Sequence, residues 1–514
     1  MRANKTVSSL RSIVFAFLIL NTLYSIHNFS FAQKSSSSPY SRYGIGDISG
    51  KGFGQGFAMG GTYIGMQNDT IPLTNLFINY GNPASYPSTR LTTAELGVNF
   101  NRVKLESADT KTNVNNASLA YVSMVFPIKK WWGASVGLIP FSSVGYKVSD
   151  RQTISNVGTV NFLYEGDGGI NQVYFGNGIK PLYFLPKLYQ QSSKFARLSS
   201  TRDKDCHQVY KDTKKIRHAL NRKSFLQSLS LGANASYLFG NFSNIRRTVY
   251  PAAAFAFNTR TGTTTQVNGL YFDYGLQMCY GIDSVRTKNY VDAAKTIRDT
   301  CRPFKYRTLD NKLKIMIGAT FAAQTNIGAH IDTLSYSYFN NSLGYEIIKD
   351  TIADSHNTKG NLSIPVTFGF GIGIRKGGFL ISADYAVQNW SDYTVFNQSQ
   401  NLKNSMRVSL GAQWIPSLKI NATYPERMNY RLGVRYGQTA LELKNTPLVE
   451  YAGSVGIGFP VGRNFLLRNF SMVNIGVEVG ERGTTTNGLI KEHFFRATIG
   501  FTINDLWFQK PKID

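Results

Sequence analysis

Near the end of the chain, Phe495, Ala497, Ile499, Phe501 and Ile503 alternate with Arg496, Thr498, Gly500, Thr502 and Asn504. Successive side chains of a strand point to opposite faces, so this stretch has one apolar face and one small or polar face. The same period of two begins after Leu91, where Ala94, Leu96, Val98 and Phe100 alternate with Glu95, Gly97, Asn99 and Asn101. Ala120, Val122, Met124 and Phe126 continue it. Beyond a turn at 127–130, so do Trp132, Ala134, Val136 and Leu138. Eleven further strands are expected at 171–184, 228–247, 262–280, 312–337, 362–375, 379–395, 405–415, 429–443, 447–459, 471–482 and 491–504. The total is fourteen, and an even number suits a single-chain barrel whose first and last strands pair.

What precedes the strands differs in kind. Arg2, Lys5 and Arg11 flank the short apolar run 13–20, and Ser30, Phe31 and Ala32 supply a cleavage-like ending, so 1–32 reads as a secretory leader. The apolar run falls short of the roughly 20 residues that a membrane helix needs. A serine linker at 35–38 leads into a region bearing Gly44, Gly46, Gly52, Gly54, Gly56, Gly60, Gly61 and Gly65, with Pro72 and Pro83 further on. Glycine and proline disfavour long strands here, so 33–90 is expected to form an irregular plug. The fold class is therefore all-β: a transmembrane antiparallel barrel of about 14 strands, spanning 91–508, with an N-terminal plug and a polar tail at 509–514.

Composition refines this picture. The chain has 34 Phe, 29 Tyr and 47 Gly, the aromatics suiting interfacial girdles and the glycines crowded interior positions. Net charge is +26, and half of that excess falls in two segments. Between Phe184 and Ser228 eleven Lys and Arg face three Asp, and between Gly281 and Ile315 nine face four. An exported chain does not meet nucleic acid, so loops near anionic lipid or a surface for an acidic partner fit better. If the plug starts in the periplasm, alternating strand polarity puts connections such as 101–117, 150–170 and 338–361 outside. It puts basic insertions at about 185–227 and 281–311 inside. Cys206, Cys279 and Cys301 fall on that inner side, and an odd count allows one disulfide, for which Cys206–Cys301 is the favoured pair.

Several short passages, taken in order, resemble the FadL/TodX family of outer-membrane hydrophobic-compound channels in the form common among Bacteroidetes. They are 38–44 (SPYSRYG), 58–63 (AMGGTY), 82–85 (NPAS), 132–135 (WGAS), Pro140-Phe141, 165–169 (EGDGG), 480–491 and 504–508. The resemblance implies a 14-stranded barrel closed by an N-terminal hatch, taking up long-chain fatty acids or other apolar molecules. It further implies that ligand is held within the barrel and leaves sideways where the third strand is kinked. Carried over, Asn82, Pro83 and Ala84 become the hatch motif, and Pro140 and Phe141 the candidate lateral gate. Proline removes a ladder donor, which suits a gate but equally a plain bulge.

Function then divides into classes. The leading one is passive uptake of small hydrophobic molecules in a Gram-negative outer membrane, with membrane lipid and lipopolysaccharide as surroundings. The alternative is a barrel anchor whose basic insertions recruit a periplasmic protein partner of a secretion or motility assembly. Catalysis is not expected: His207, His218, His330, His356 and His493 lie in no nucleophile or metal pattern, and no cofactor or metal site is indicated.

Overall fold

The computed structural model describes residues 38–68, 77–184, 228–251, 256–282, 313–341, 343–419, 422–461 and 471–505. Fourteen antiparallel strands close on themselves. They are β1 (Thr92–Glu106), β2 (Lys111–Lys129), β3 (Trp132–Ile154), β4 (Gly158–Ile179), β5 (Ser230–Val249), β6 (Asn258–Ile282) and β7 (Leu313–Ala322 and Thr325–Asn340). After these come β8 (Glu346–Ile364 and Thr367–Lys376), β9 (Phe379–Gln388), β10 (Ser405–Trp414), β11 (Asn429–Leu443), β12 (Thr446–Val461), β13 (Ser471–Arg482) and β14 (Lys491–Asp505). Neighbours in sequence pair throughout, and β14 returns to β1 from Lys491 opposite Glu106 to Asp505 opposite Thr92. Closure pairs the first strand with the last, so neither is left as an edge strand, and it satisfies most of the backbone between strands, which a chain crossing hydrocarbon needs. Among the described residues, no helix is long and apolar enough to cross a membrane.

The alternation read from the sequence sorts outside from inside. On β10, Val408 and Leu410 are exposed while Ser409 between them is buried. On β9, Phe379, Ile381 and Tyr385 face out while Ser382 and Asp384 face in. Apolar groups thus cover the outer skin and polar ones the bore, the reverse of a water-soluble domain. One large apolar cluster does fill part of the bore, with Ile45, Val144, Ile170, Leu238, Tyr271, Ile327 and Trp390 among its members.

One end of the barrel carries the β1–β2, β3–β4, β11–β12 and β13–β14 hairpins; we term it the hairpin end. At the opposite, terminal end lie the start of β1, the end of β14 and the attachment points of both basic insertions. Strand lengths correct the sequence reading here. Regions 150–170 and 338–361, expected as connections, are largely strand: β3 runs to Ile154, β4 starts at Gly158, and β8 starts at Glu346. Both faces are exposed along 149–156 and along 346–359, so no apolar alternation announces these stretches. The insertions 185–227 and about 281–311 fall almost wholly outside the described residues.

Because Val455 faces outward near the middle of β12 and is half exposed, Val455→Arg is expected to destabilise the barrel by about 2–4 kcal/mol. Urea unfolding in lipid vesicles measures this; an unchanged midpoint would place β12 outside the hydrocarbon.

Candidate functional site

Residues 38–68 and 77–89 lie in the bore and are held by inward-facing side chains on many sides. Ser38 caps a short 3-10 turn, Pro39–Arg42, with its hydroxyl accepting from the Tyr40 N–H. That hydroxyl donates to Glu492 of β14 at 2.5 Å and is reached by Arg482 of β13 at 2.6 Å. Arg482 also pairs with Glu492 at 2.7 Å and with Asp47 at 2.9 Å. Tyr40 completes the anchor by donating to the Ile490 carbonyl. Next, Asp47–Ile48 forms a two-residue strand against Ser142–Ser143 of β3. Lys51 then reaches Asp273 of β6 at 2.6 Å. Burial is the largest influence and works against its charge, but Asp273 together with Tyr271, Tyr63 and Tyr80 outweighs it and holds the Lys51 pKa well above the ordinary lysine range.

Further along, backbone N–H groups meet wall side chains. Gly60 donates to Ser454 of β12, and Tyr63 and Ile64 both donate to Asp384 of β9, at 2.6 and 2.8 Å. Gln277 of β6 donates back to the Ile64 and Met66 carbonyls. The backbone polar groups of an irregular segment need partners once buried, and here the barrel wall supplies them.

Close approach is achieved by leaving side chains off the wall. A Cβ built on Gly433 would stand 2.0 Å from the Gly60 nitrogen, and one on Gly411 2.4 Å from the Met59 carbonyl. On Gly371 it would lie 2.5 Å from the Gly65 nitrogen, and on Gly318 2.0 Å from the Ile64 carbonyl. Gly275, Gly232, Gly178 and Gly133 meet the 82–87 stretch in the same way. None of these eight has a positive φ, so steric room, not backbone freedom, requires glycine. The hatch backbone sits directly on that of β3 to β8, β10 and β11.

The residues singled out from sequence take the following positions. Asn82 is wholly buried and caps Pro83–Ser88, its side-chain oxygen accepting from the Ala84 N–H at 3.2 Å. Its amide donates to the Ile64 carbonyl at 2.8 Å, tying the two halves of the hatch together. Pro83 and Ala84 press on Gly232 and Gly275. Pro140 lies at a register shift of β3 against β4, and Phe141 packs edge-on against Tyr271 while its carbonyl accepts from the Ser49 N–H. Cys206 and Cys301 lie outside the described residues. Sequence reasoning passed over Arg482, Asp384 and Asp273, whose one visible signal is a charge at a bore-facing phase of a strand.

Two openings adjoin the hatch. Toward the hairpin end a chamber of about 300 Å³ is lined by Ile45, Ile48, Trp390, Leu402, Met406 and Leu448, with Arg407, Arg435, Arg482 and Arg496 among its polar groups. Arg435 is engaged by Glu450 and Glu478, and Arg496 by Glu478. Arg407 makes no ion pair among the described residues and lies 5.9 Å from the centre of the Tyr63 ring. The second opening is a seam. β2 pairs with β3 only from Lys129–Trp132 to Val122–Leu138. Beyond it β2 continues with β1 alone, while Ser142–Ser143 of β3 turns to the hatch strand.

Gly433→Leu is accordingly expected to unseat the hatch, visible as new protease cuts within 50–66 and higher single-channel conductance in planar bilayers. Gly453→Leu, one strand over but facing outward into open space, is expected to leave both unchanged. Equal behaviour of the two variants would contradict the close-approach account.

A search of curated proteins finds no match. Among solved structures, the toluene transporter TodX of P. putida superposes with a TM-score of 0.50 at 12% identity, covering 90% of this chain and 100% of that one. The monoaromatic hydrocarbon channel CymD gives 0.44 at 11% identity over 91% and 100%. A Pseudomonas aeruginosa FadL homologue gives 0.46 at 10% over 90% and 99%. At such identity the TodX likeness speaks for the barrel fold alone. A family model described as BamG matches residues 11–219 and 302–514, which include the hatch, its clamp and every strand but β5 and β6. The chain belongs to the BamG family.

Proposed function

We propose that this protein spans a Gram-negative outer membrane and passes small hydrophobic molecules, long-chain fatty acids or similar, passively from its hairpin end into the membrane. The observation that carries the reading is the seam: where β2 and β3 part, Ser142–Ser143 of β3 pair with Asp47–Ile48 of the hatch, and those hatch residues also line the chamber. The hatch seals the straight route along the bore, so a molecule in the chamber leaves sideways. An apolar solute moving sideways into the bilayer avoids a second crossing of water. The likeness to TodX supports the same architecture.

The chamber lining suggests the kind of molecule. Its apolar residues suit a hydrocarbon body, and Arg407, which makes no ion pair among the described residues, suits an acidic end. Arg407→Ala is expected to weaken binding of a long-chain fatty acid by about ten- to a hundredfold, the loss of one charged hydrogen bond. A neutral aromatic hydrocarbon should bind as before. Fluorescent-probe displacement from the detergent-solubilised protein, with radiolabelled uptake into cells, tests this; failure of both ligand classes to bind would end the transport reading.

A second reading is favoured by the tight seating of the hatch. A barrel sealed by backbone-on-backbone contact also serves as an anchor, with the basic insertions recruiting an acidic periplasmic partner. Deleting 185–227 is then expected to abolish recovery of that partner from detergent extracts while heat-modifiable migration shows the barrel still folded. Unchanged recovery would dismiss it.

A further inference from the structure

The outward surface at the hairpin end carries a basic patch that neither chamber nor seam uses. Strand register aligns it in rows across the β14–β1 closure. In the outermost row Lys491 stands opposite Glu106, and Glu106 opposite Lys111. The next row sets Tyr451, Glu481, His493 and Lys104 side by side, ending on Asn113. In the third, Gly453, Val479 and Phe495 lead to Arg102. One row deeper lie Val455, Val477, Ala497 and Phe100, all apolar.

The two carboxylates of the patch are already engaged. Glu481 takes Lys491 at 2.7 Å and His493 at 2.8 Å, and Glu106 takes Lys111 at 2.8 Å. Lys104 is left 4.0 Å from Glu106, and Arg102 makes no ion pair among the described residues. An exposed guanidinium thus stands one row from the apolar belt, beside Phe495. At that depth a cation without a counter-charge is costly, and an anion supplied by the surroundings removes the cost. From Arg102 and Lys104 a groove of about 730 Å³ runs past Phe495 and Val479 to Tyr451 and Val434. Its floor includes Gly453, where an added Cβ would meet nothing within 4 Å. Charge at one end and an apolar slot at the other match a molecule with an anionic head and a hydrocarbon chain.

We propose that this groove seats an outer-leaflet lipid through its phosphate. Arg102 and Lys104 donate to the phosphate oxygens, and an acyl chain lies in the slot over Gly453. The planar fork of arginine suits a phosphate, which offers several acceptor oxygens to two adjacent cations. The inference rests on the outer-membrane placement but not on transport, and the site lies on the opposite face of the wall from the chamber.

The test is native mass spectrometry of the full-length mature protein in detergent, titrated with bisphosphorylated lipid A and with the same lipid stripped of phosphate. Phosphorylated lipid is expected to be retained at least about tenfold more strongly, and Arg102→Ala with Lys104→Ala to remove that preference. Gly453→Leu fills the slot without touching charge and is expected to weaken retention of both lipids. Equal retention of the two lipids, or an unchanged preference in the double variant, would overturn the proposal. So would displacement of the lipid by millimolar inorganic phosphate, which would indicate a site for a free anion. Fatty-acid binding in the chamber, measured in parallel, is expected to stay unchanged in both variants, which separates this result from the fate of the transport reading.

Discussion

A backbone can lie flat on another backbone only where nothing projects between them. That steric condition governs the bore of this barrel. Eight glycines on β3 to β8, β10 and β11 clear a shelf, and residues 59–65 and 82–87 of the hatch rest on it. Once the shelf exists, the hydrogen bonds that Asp384 and Ser454 accept and that Gln277 donates become short enough to form. Hatch and wall then share buried hydrogen bonds. The seal follows from geometry, and the chamber and seam are defined by where the shelf ends.

The radial layering follows from the same strands. With a period of two, each strand gives its apolar phase to the outside and its polar phase to the bore. The bore can therefore hold ion pairs, such as Arg482 with Glu492 or Lys51 with Asp273, that an ordinary apolar core would not accommodate without loss. Those pairs locate the hatch by charge as the glycines locate it by shape. Opposite surfaces of one wall thereby carry different chemistry: arginines paired with carboxylates inside, and a basic patch beside an apolar belt outside.

How much of this the sequence disclosed varied with the physics of each part. Every strand announced itself where one face meets lipid and the other the bore, as in Phe495 to Ile503. The hairpin extensions did not, because stretches such as 346–359 are wet on both faces and lose the alternation. Asn82 was legible as a turn former ahead of Pro83, and its cap is of that kind. Its amide link to Ile64 was not, since that bond depends on how two remote parts of the hatch fold back. The glycines of the strands were visible as composition, but their alignment across neighbouring strands depends on register. Arg482 sat within a quoted passage without revealing that its partners would be Ser38 and Asp47, more than 430 positions earlier.

That clamp bears on the order in which the molecule is made. The beginning of the hatch is tied to Arg482 and Glu492, which belong to the final hairpin, the last piece to emerge from the ribosome. Until β13 and β14 arrive, Ser38 and Asp47 lack their contacts with Arg482. Once β14 zips onto β1, the cylinder is shut and no longer admits a folded plug. Seating the head and sewing the tail to the front must therefore happen together, as one cooperative event at the close of biogenesis.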